Sequence, residues 1–248
     1  MKNNIVEPHP AYLRSAELVE GFLQDPKASE EVKQQVQLSL DIIDDALKQY
    51  SLDELALSFN GGKDCLVMLV LILAQMHRRH GKESSQKLGA LGAVYVKVVD
   101  PFPQVDDFVA QCAKEYPLDI YADNLPMKGA LANYLHKNPH VKAIYVGIRR
   151  ADPYGESLKY IQRTDHGWPD FIRIHPVLEW TYTQIWEFLI QTGVSYCSLY
   201  DAGYTSLGGV TTTVRNPELA NDDGSYRPAH SMKDGSKERV GRFSATTK

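Results

Sequence analysis

The sequence predicts an α/β fold: a doubly wound, mainly parallel sheet with helices on both faces, a helical N-terminal extension and a loop-rich C-terminal tail. Three observations point there. Between Leu55 and Ile174, short apolar runs of strand length alternate with helical patterns. Those runs are continuously apolar, as expected where helices cover both faces of a sheet. The first run also passes through a glycine pair straight into an apolar helix, the βα unit from which parallel sheets are built.

Residues 1–50 read as the helical extension. Ser29 is a natural N-cap, Glu30 and Glu31 suit the positive end of a helix, and Val36, Leu40, Ile43 and Leu47 then recur at helical spacing. Such a stripe is a packing face rather than a site.

Residues 51–200 carry the sheet. LALSF (Leu55 to Phe59) is the first strand, followed by a helix over Leu66 to Ala74. Gly92 to Val99 is the second strand, and Asp106 to Lys114 a helix whose start Pro103 sets. Leu118 to Tyr121 is the third strand, Met127 to His136 a helix, and Ala143 to Ile148 the fourth strand. A fifth lies near Phe171 to Ile174. Thr181 and Gln184 then form a capping box for the helix carrying Ile185, Trp186 and Leu189.

From 201 to 248 the regularity fades and glycines and prolines punctuate a tail without apolar periodicity. Such a tail is either disordered or wrapped against the domain around a ligand.

The bulk numbers exclude several classes. A net charge of −4 argues against a broad nucleic-acid face. The longest apolar run, Leu66 to Ala74, is nine residues, too short to cross a bilayer. The start MKNNIVEPHP has neither a signal-peptide core nor transit-peptide character. Cys65, Cys112 and Cys197 show no CxxC and no zinc spacing, which predicts a reduced, cytoplasmic protein.

The strongest local signal is Ser58-Phe59-Asn60-Gly61-Gly62-Lys63-Asp64 between a strand and a helix. Paired glycines let backbone N–H groups approach an anion without Cβ interference, and the helix directs its positive end at the same place. Ser58 can add a hydroxyl and Lys63 a mobile ammonium. It is neither the GxxxxGK[ST] phosphate loop nor GxGxxG.

SFNGGKD resembles the pyrophosphate loop of the adenine-nucleotide alpha-hydrolase-like superfamily, in the branch of eukaryotic FAD synthases and phosphoadenylyl-sulfate reductases. Gly147 to Trp180 (GIRRADPYGESLKYIQRTDHGWPDFIRIHPVLEW) is similar in motif and spacing to FAD synthases, with Ala151 where Thr is usual. Tyr226-Arg227-Pro228-Ala229 and Glu238-Arg239-Val240-Gly241-Arg242 resemble the family's closing region, with His230 where Tyr is common. The match covers about Leu55 to Arg242.

What the resemblance implies is transfer of AMP from ATP to FMN with Mg²⁺, giving FAD and pyrophosphate. It implies Asn60, Asp64, Asp152, Arg239 and Arg242 as the catalytic set and Asp152 as the metal ligand. ATP and pyrophosphate would meet Ser58 to Asp64, backbone at Tyr95, Gly147 and Arg149. FMN would meet Asp165, Trp168, Arg239 and Arg242. Read alone, Asp152-Pro153 is an exposed turn adding little to the core, Trp168-Pro169 a packed anchor, and the basic 226–248 stretch, ending at Lys248, a solvated tail.

Two alternatives come from the same residues. A phosphoadenylyl-sulfate reductase-like enzyme needs a C-terminal thiolate, yet the last cysteine is Cys197, fifty-one residues from the end. A non-catalytic flavin or nucleotide-binding module would have less reason to keep the charged residues of both motifs.

Overall fold

The computed structural model describes residues 8–80 and 88–243. The leader argument at residues 1–7 and the basic residue Lys248 lie outside the described residues. Six strands form one sheet: β1 (Leu55–Ser58), β2 (Leu91–Val96), β3 (Leu118–Asp123), β4 (Ala143–Val146), β5 (Ile161–Arg163) and β6 (Ile172–Ile174). Their order is β3-β2-β1-β4-β6-β5, parallel throughout except for β5, which runs antiparallel to β6. The helices are α1 (Pro10–Gln24), α2 (Glu30–Gln49), α3 (Lys63–His80), α4 (Pro103–Glu115), α5 (Met127–Lys137) and α6 (Tyr182–Thr192).

The central strands point alternate residues to opposite faces, and both faces are buried. Ala56, Val94 and Ile144 face α5 with Leu131 and Tyr134, whereas Leu57, Ala93 and Tyr145 join the larger core under α3 and α4. This two-sided burial is why the strands read as unbroken apolar runs.

The N-terminal stripe is core: Val36, Leu40 and Ile43 are at most 1% exposed. Helices α1 and α2 pack on α3 and α6, and the Ser29 Oγ accepts from Val32 N–H at 3.4 Å. At α6, Thr181 N–H donates to Gln184 Oε1 at 2.9 Å, closing the expected capping box, and Gly193 ends the helix at φ 66°.

Three expectations are corrected. Strand β5 was invisible in the sequence because a three-residue edge strand holding Gln162 and Arg163 has no apolar run to show. Strand β2 stops at Val96, and Val98 and Val99 stand exposed in the following loop. Helix α3 starts three residues earlier than Leu66 and continues to His80, because the apolar run was only its buried stretch.

The 201–243 segment wraps the domain through short 3₁₀ turns and isolated bridges. Leu219, Ala229 and Met232 anchor it in the main core. The sheet order reverses between β2 and β4, on either side of β1, and ligands of open α/β sheets bind at the carboxyl end of such a reversal.

Candidate active site

The loop between β1 and α3 lies at that carboxyl end. Ser58 closes the ladder, paired with Val94 and Val146, and Phe59 is wholly buried, so it can offer only backbone. Gly61 takes φ 72°, and a Cβ there would stand 2.9 Å from Val109 Cγ2, so conformation and space both require glycine. The exposed Asn60 folds back, its Oδ1 accepting from Gly62 N–H at 3.0 Å. Lys63 N–H donates to the buried Tyr200 hydroxyl at 3.1 Å. Two of the loop's N–H groups are therefore bound internally rather than turned outward as expected.

The second correction concerns Lys63. Its side chain is 2% exposed, not mobile. The ammonium lies 3.0 Å from Asp64 Oδ2, touches Glu238 Oε1 and sits over the rings of Tyr182 and Tyr200 at 5.4 and 5.9 Å. Arg149, following β4, is equally buried and is neither solvated nor free for phosphate. Its guanidinium meets Asp64 Oδ1 at 3.1 Å, Asp152 Oδ1 at 3.1 Å and Glu238 Oε2 at 2.5 Å. Two cations and three carboxylates thus close one buried network.

Burial pushes the Asp64 carboxyl up, but the Lys63 ammonium and the Arg149 guanidinium outweigh it and hold the group below its ordinary range. Burial likewise opposes the Lys63 charge, and Asp64 and Glu238 more than compensate, so the ammonium is kept.

Asp152 is not the free turn carboxylate the sequence suggested. Its Oδ2 accepts from Arg149 N–H at 2.9 Å while Oδ1 faces the Arg149 guanidinium. Its side chain still retains 18% exposure, and it lines a cleft of about 630 Å³ together with Arg150, Tyr154 and Arg239. Tyr154 stands at φ 67°, the one described non-glycine residue in left-handed backbone.

Arg239 and Arg242 differ. Arg239 is exposed on that cleft. Arg242 is half-buried, donating to Ser206 Oγ at 3.2 Å and the Leu207 carbonyl at 2.9 Å and lying flat against Gly208.

The remaining residues lie apart. Tyr95 is buried and its hydroxyl donates to Asp106 at 2.8 Å, which leaves only backbone for a ligand. Gly147 brings β4 against α3. Trp168, 43% exposed, lines a separate apolar cleft of about 520 Å³ with Leu125, Pro126 and Lys128. Asp165 is exposed and pairs with Arg173 at 3.0 Å. Neither shares the cleft of Asp152 and Arg239.

Sequence reasoning assigned no role to Glu238, Tyr182 or Tyr200. Glu238 stood in a recognisable motif, whereas the tyrosines carry no local signal. All three cysteines are buried, and burial with the Asp64 charge pushes the Cys65 thiol up to about 12, so neither a reductase thiolate nor a nucleophile is at hand.

The chain is similar to proteins of known family and fold. The model of the phosphoadenosine phosphosulfate reductase domain matches residues 54–138 and 122–215. A Schizosaccharomyces pombe protein named as a probable FAD synthase is 46% identical over 211 residues, 85% of this chain and 80% of that one. The flavin adenine dinucleotide synthase of Saccharomyces cerevisiae is 37% identical over 185 residues, 68% of this chain and 60% of that one. The crystal structure of Candida glabrata FMN adenylyltransferase with FAD and inorganic pyrophosphate superposes with a TM-score of 0.89 at 29% identity, covering 96% of this chain and 97% of that one. By that domain match and these relatives, the chain belongs to the FAD synthase family, within the group that carries the phosphoadenosine phosphosulfate reductase domain.

Proposed function

We propose that this chain makes FAD by transferring the adenylyl group of ATP to FMN. The observation that carries the reading is the convergence of three elements at one end of the sheet: the Ser58 to Asp64 loop, Asp152 and Arg239.

An FMN phosphate oxygen attacks the α-phosphorus of ATP. The bond to the β-phosphate bridging oxygen breaks, and pyrophosphate leaves with that electron pair. The FMN phosphate is ionised at neutral pH, so the chain needs no strong base, and positioning with charge stabilisation does the work. The loop turns the positive end of α3 toward the leaving pyrophosphate, with its backbone N–H groups other than those of Gly62 and Lys63 left to meet it. Asn60 gives the loop its shape, and the side chains of Lys63 and Arg149 hold Asp64, Asp152 and Glu238 in place from beneath. Arg239, exposed on the cleft, contacts the reacting phosphates directly, and Arg242 orders the segment that carries it.

Mg²⁺ fits Asp152. The donor set is one partly exposed carboxylate beside a cleft, and Mg²⁺ typically takes one or two carboxylates, waters and substrate phosphates. Held there by Asp152, such an ion would neutralise charge on the triphosphate. The apolar cleft at Trp168 suits the flat isoalloxazine of FMN, with Asp165 at its margin as a polar contact. Three buried, unpaired thiols fit a cytoplasmic location, and no helix among the described residues is long and apolar enough to cross a membrane.

The test is direct. Incubated with ATP, Mg²⁺ and FMN, the protein should form FAD and pyrophosphate in equal amounts and leave riboflavin unphosphorylated. Binding of both substrates without pyrophosphate release would instead support a non-catalytic module.

A further inference from the structure

We propose that Glu238 is a positioning residue for this reaction: its carboxylate fastens the C-terminal segment to the phosphate loop, and thereby sets Arg239 on the reaction cleft. The inference rests on the FAD-synthesis reading above.

The carboxylate is placed where no space-filling role would need a charge. Glu238 is 7% exposed, its Oε1 touching the Lys63 ammonium and its Oε2 2.5 Å from Arg149 Nη2. Those two cations come from different segments, Lys63 from the first turn of α3 and Arg149 from the turn after β4. One side chain therefore joins three segments: the loop, the turn after β4 that carries Asp152, and the tail.

Its backbone is held as firmly. The Glu238 carbonyl accepts from Thr205 Oγ1 at 2.6 Å, and Asn216 Nδ2 donates to Thr205 Oγ1 and to the Lys237 carbonyl, both at 2.9 Å. Thr205 and Asn216 are themselves buried. Arg239 follows directly in chain, and Arg242 N–H donates to the Arg239 carbonyl at 2.9 Å. Among the described residues the Arg239 side chain makes no ion pair or hydrogen bond. Its direction follows from its backbone, held on one side by Glu238 and on the other by the Gly241, Arg242 and Phe243 ties to the 212–214 strand bridge.

A buried carboxylate between two buried cations resists neutralisation, because removing one partner leaves the others uncompensated. Glu238→Gln keeps the volume and one oxygen, but turns an amide N–H₂ toward one of the cations. The tie to the loop or to Arg149 must then open, and Arg239 loses its register over the cleft.

The experiment uses the full chain with E238Q, R239A and the double variant, following melting temperature, steady-state FAD synthesis and hydrogen exchange over 239–243. Expected is a loss of at least about tenfold in kcat for E238Q with KM for FMN within about threefold, the pattern of an interaction realised in the transition state. The double variant should be no more than about threefold slower than R239A alone, since two residues acting as a unit are non-additive. Exchange over 239–243 should quicken. An E238Q enzyme with near-normal kcat, or losses that multiply, would overturn the proposal. If E238Q does not fold, Thr205→Val decides: it loosens the Glu238 carbonyl without touching the carboxylate, and should lower kcat by about threefold or more at unchanged KM. An unaffected T205V would then overturn it. Should the unaltered chain form no FAD, the synthesis reading fails by itself, and hydrogen exchange over 239–243 judges the tie: faster in E238Q supports it, unchanged defeats it.

Discussion

A Cβ built on Gly147 would stand 2.8 Å from Cys65 Sγ and 3.2 Å from the Cys65 backbone, so the end of β4 and the first turn of α3 touch with no room for a side chain. Helix α3 is thereby pressed against the strand whose next residues carry Arg149 and Asp152. Both halves of the site are held in mutual register by contact rather than by charge alone.

Gly147→Ala should therefore cost about 1–3 kcal/mol, as overpacking does. It should also slow FAD synthesis, because relief comes only by moving the start of α3. Adding Cys65→Ala removes the sulfur but not the backbone contact, so thermal melting should show partial recovery. Full recovery would mean that the side chain alone sets the spacing.

Asp152→Asn tests the metal assignment and the turn together. The amide keeps an oxygen for Arg149 N–H but is a poor Mg²⁺ ligand, so turnover should fall by about two decades or more and the Mg²⁺ requirement should rise. Melting should drop only slightly. Asp152→Ala should lose more stability than the asparagine variant, because the Arg149 N–H and guanidinium both lose a partner. Normal turnover at ordinary Mg²⁺ would remove Asp152 from the site.

The two tail arginines should separate. Arg239→Ala removes an exposed side chain and should weaken FMN or ATP use by about a decade or more with the melting temperature unchanged. Arg242→Ala removes hydrogen bonds to Ser206 and Leu207 and the surface covering Gly208, so melting should fall as well. Lys233→Ala, outside the family pattern, serves as the control for charge.

A fourth expectation concerns mild acid. Burial holds the wholly buried His175 imidazole below its ordinary value of 6.5; the Lys159 carbonyl opposes this and the Arg173 charge adds to it. The folded chain keeps the ring neutral where the unfolded chain protonates it. Its stabilising contribution is full above 6.5 and is lost as pH falls toward the folded value, since the unfolded state then binds the extra proton. His175→Asn does not titrate and retains an N–H for Lys159. Its melting temperature should change less than that of the unaltered chain between about pH 7 and about pH 5.5.

The sequence by itself determined the architecture and the family. Parallel strands buried on both faces must be continuously apolar, so β1, β2 and β4 announced themselves in Leu55, Ala93 and Ile144, whereas the edge strand β3 showed itself through Leu118 and Ile120 despite its exposed Asp119. Capping at Ser29 and Thr181 was equally legible, because caps are local and cost no tertiary information. Three-dimensional packing alone decided what the charged residues do. Lys63 and Arg149 look like surface cations within any short window. Only the wrapping of the tail places Glu238 between them, 175 residues from one and 89 from the other, and turns free charges into a closed network. The separation of Arg239 from Arg242 has the same origin: three residues apart in sequence, they diverge because one is drawn against Gly208 and the other is left over the cleft. Local pattern encodes which face of an element is buried, whereas the partner of a buried charge is set by segments that meet only when the chain has folded.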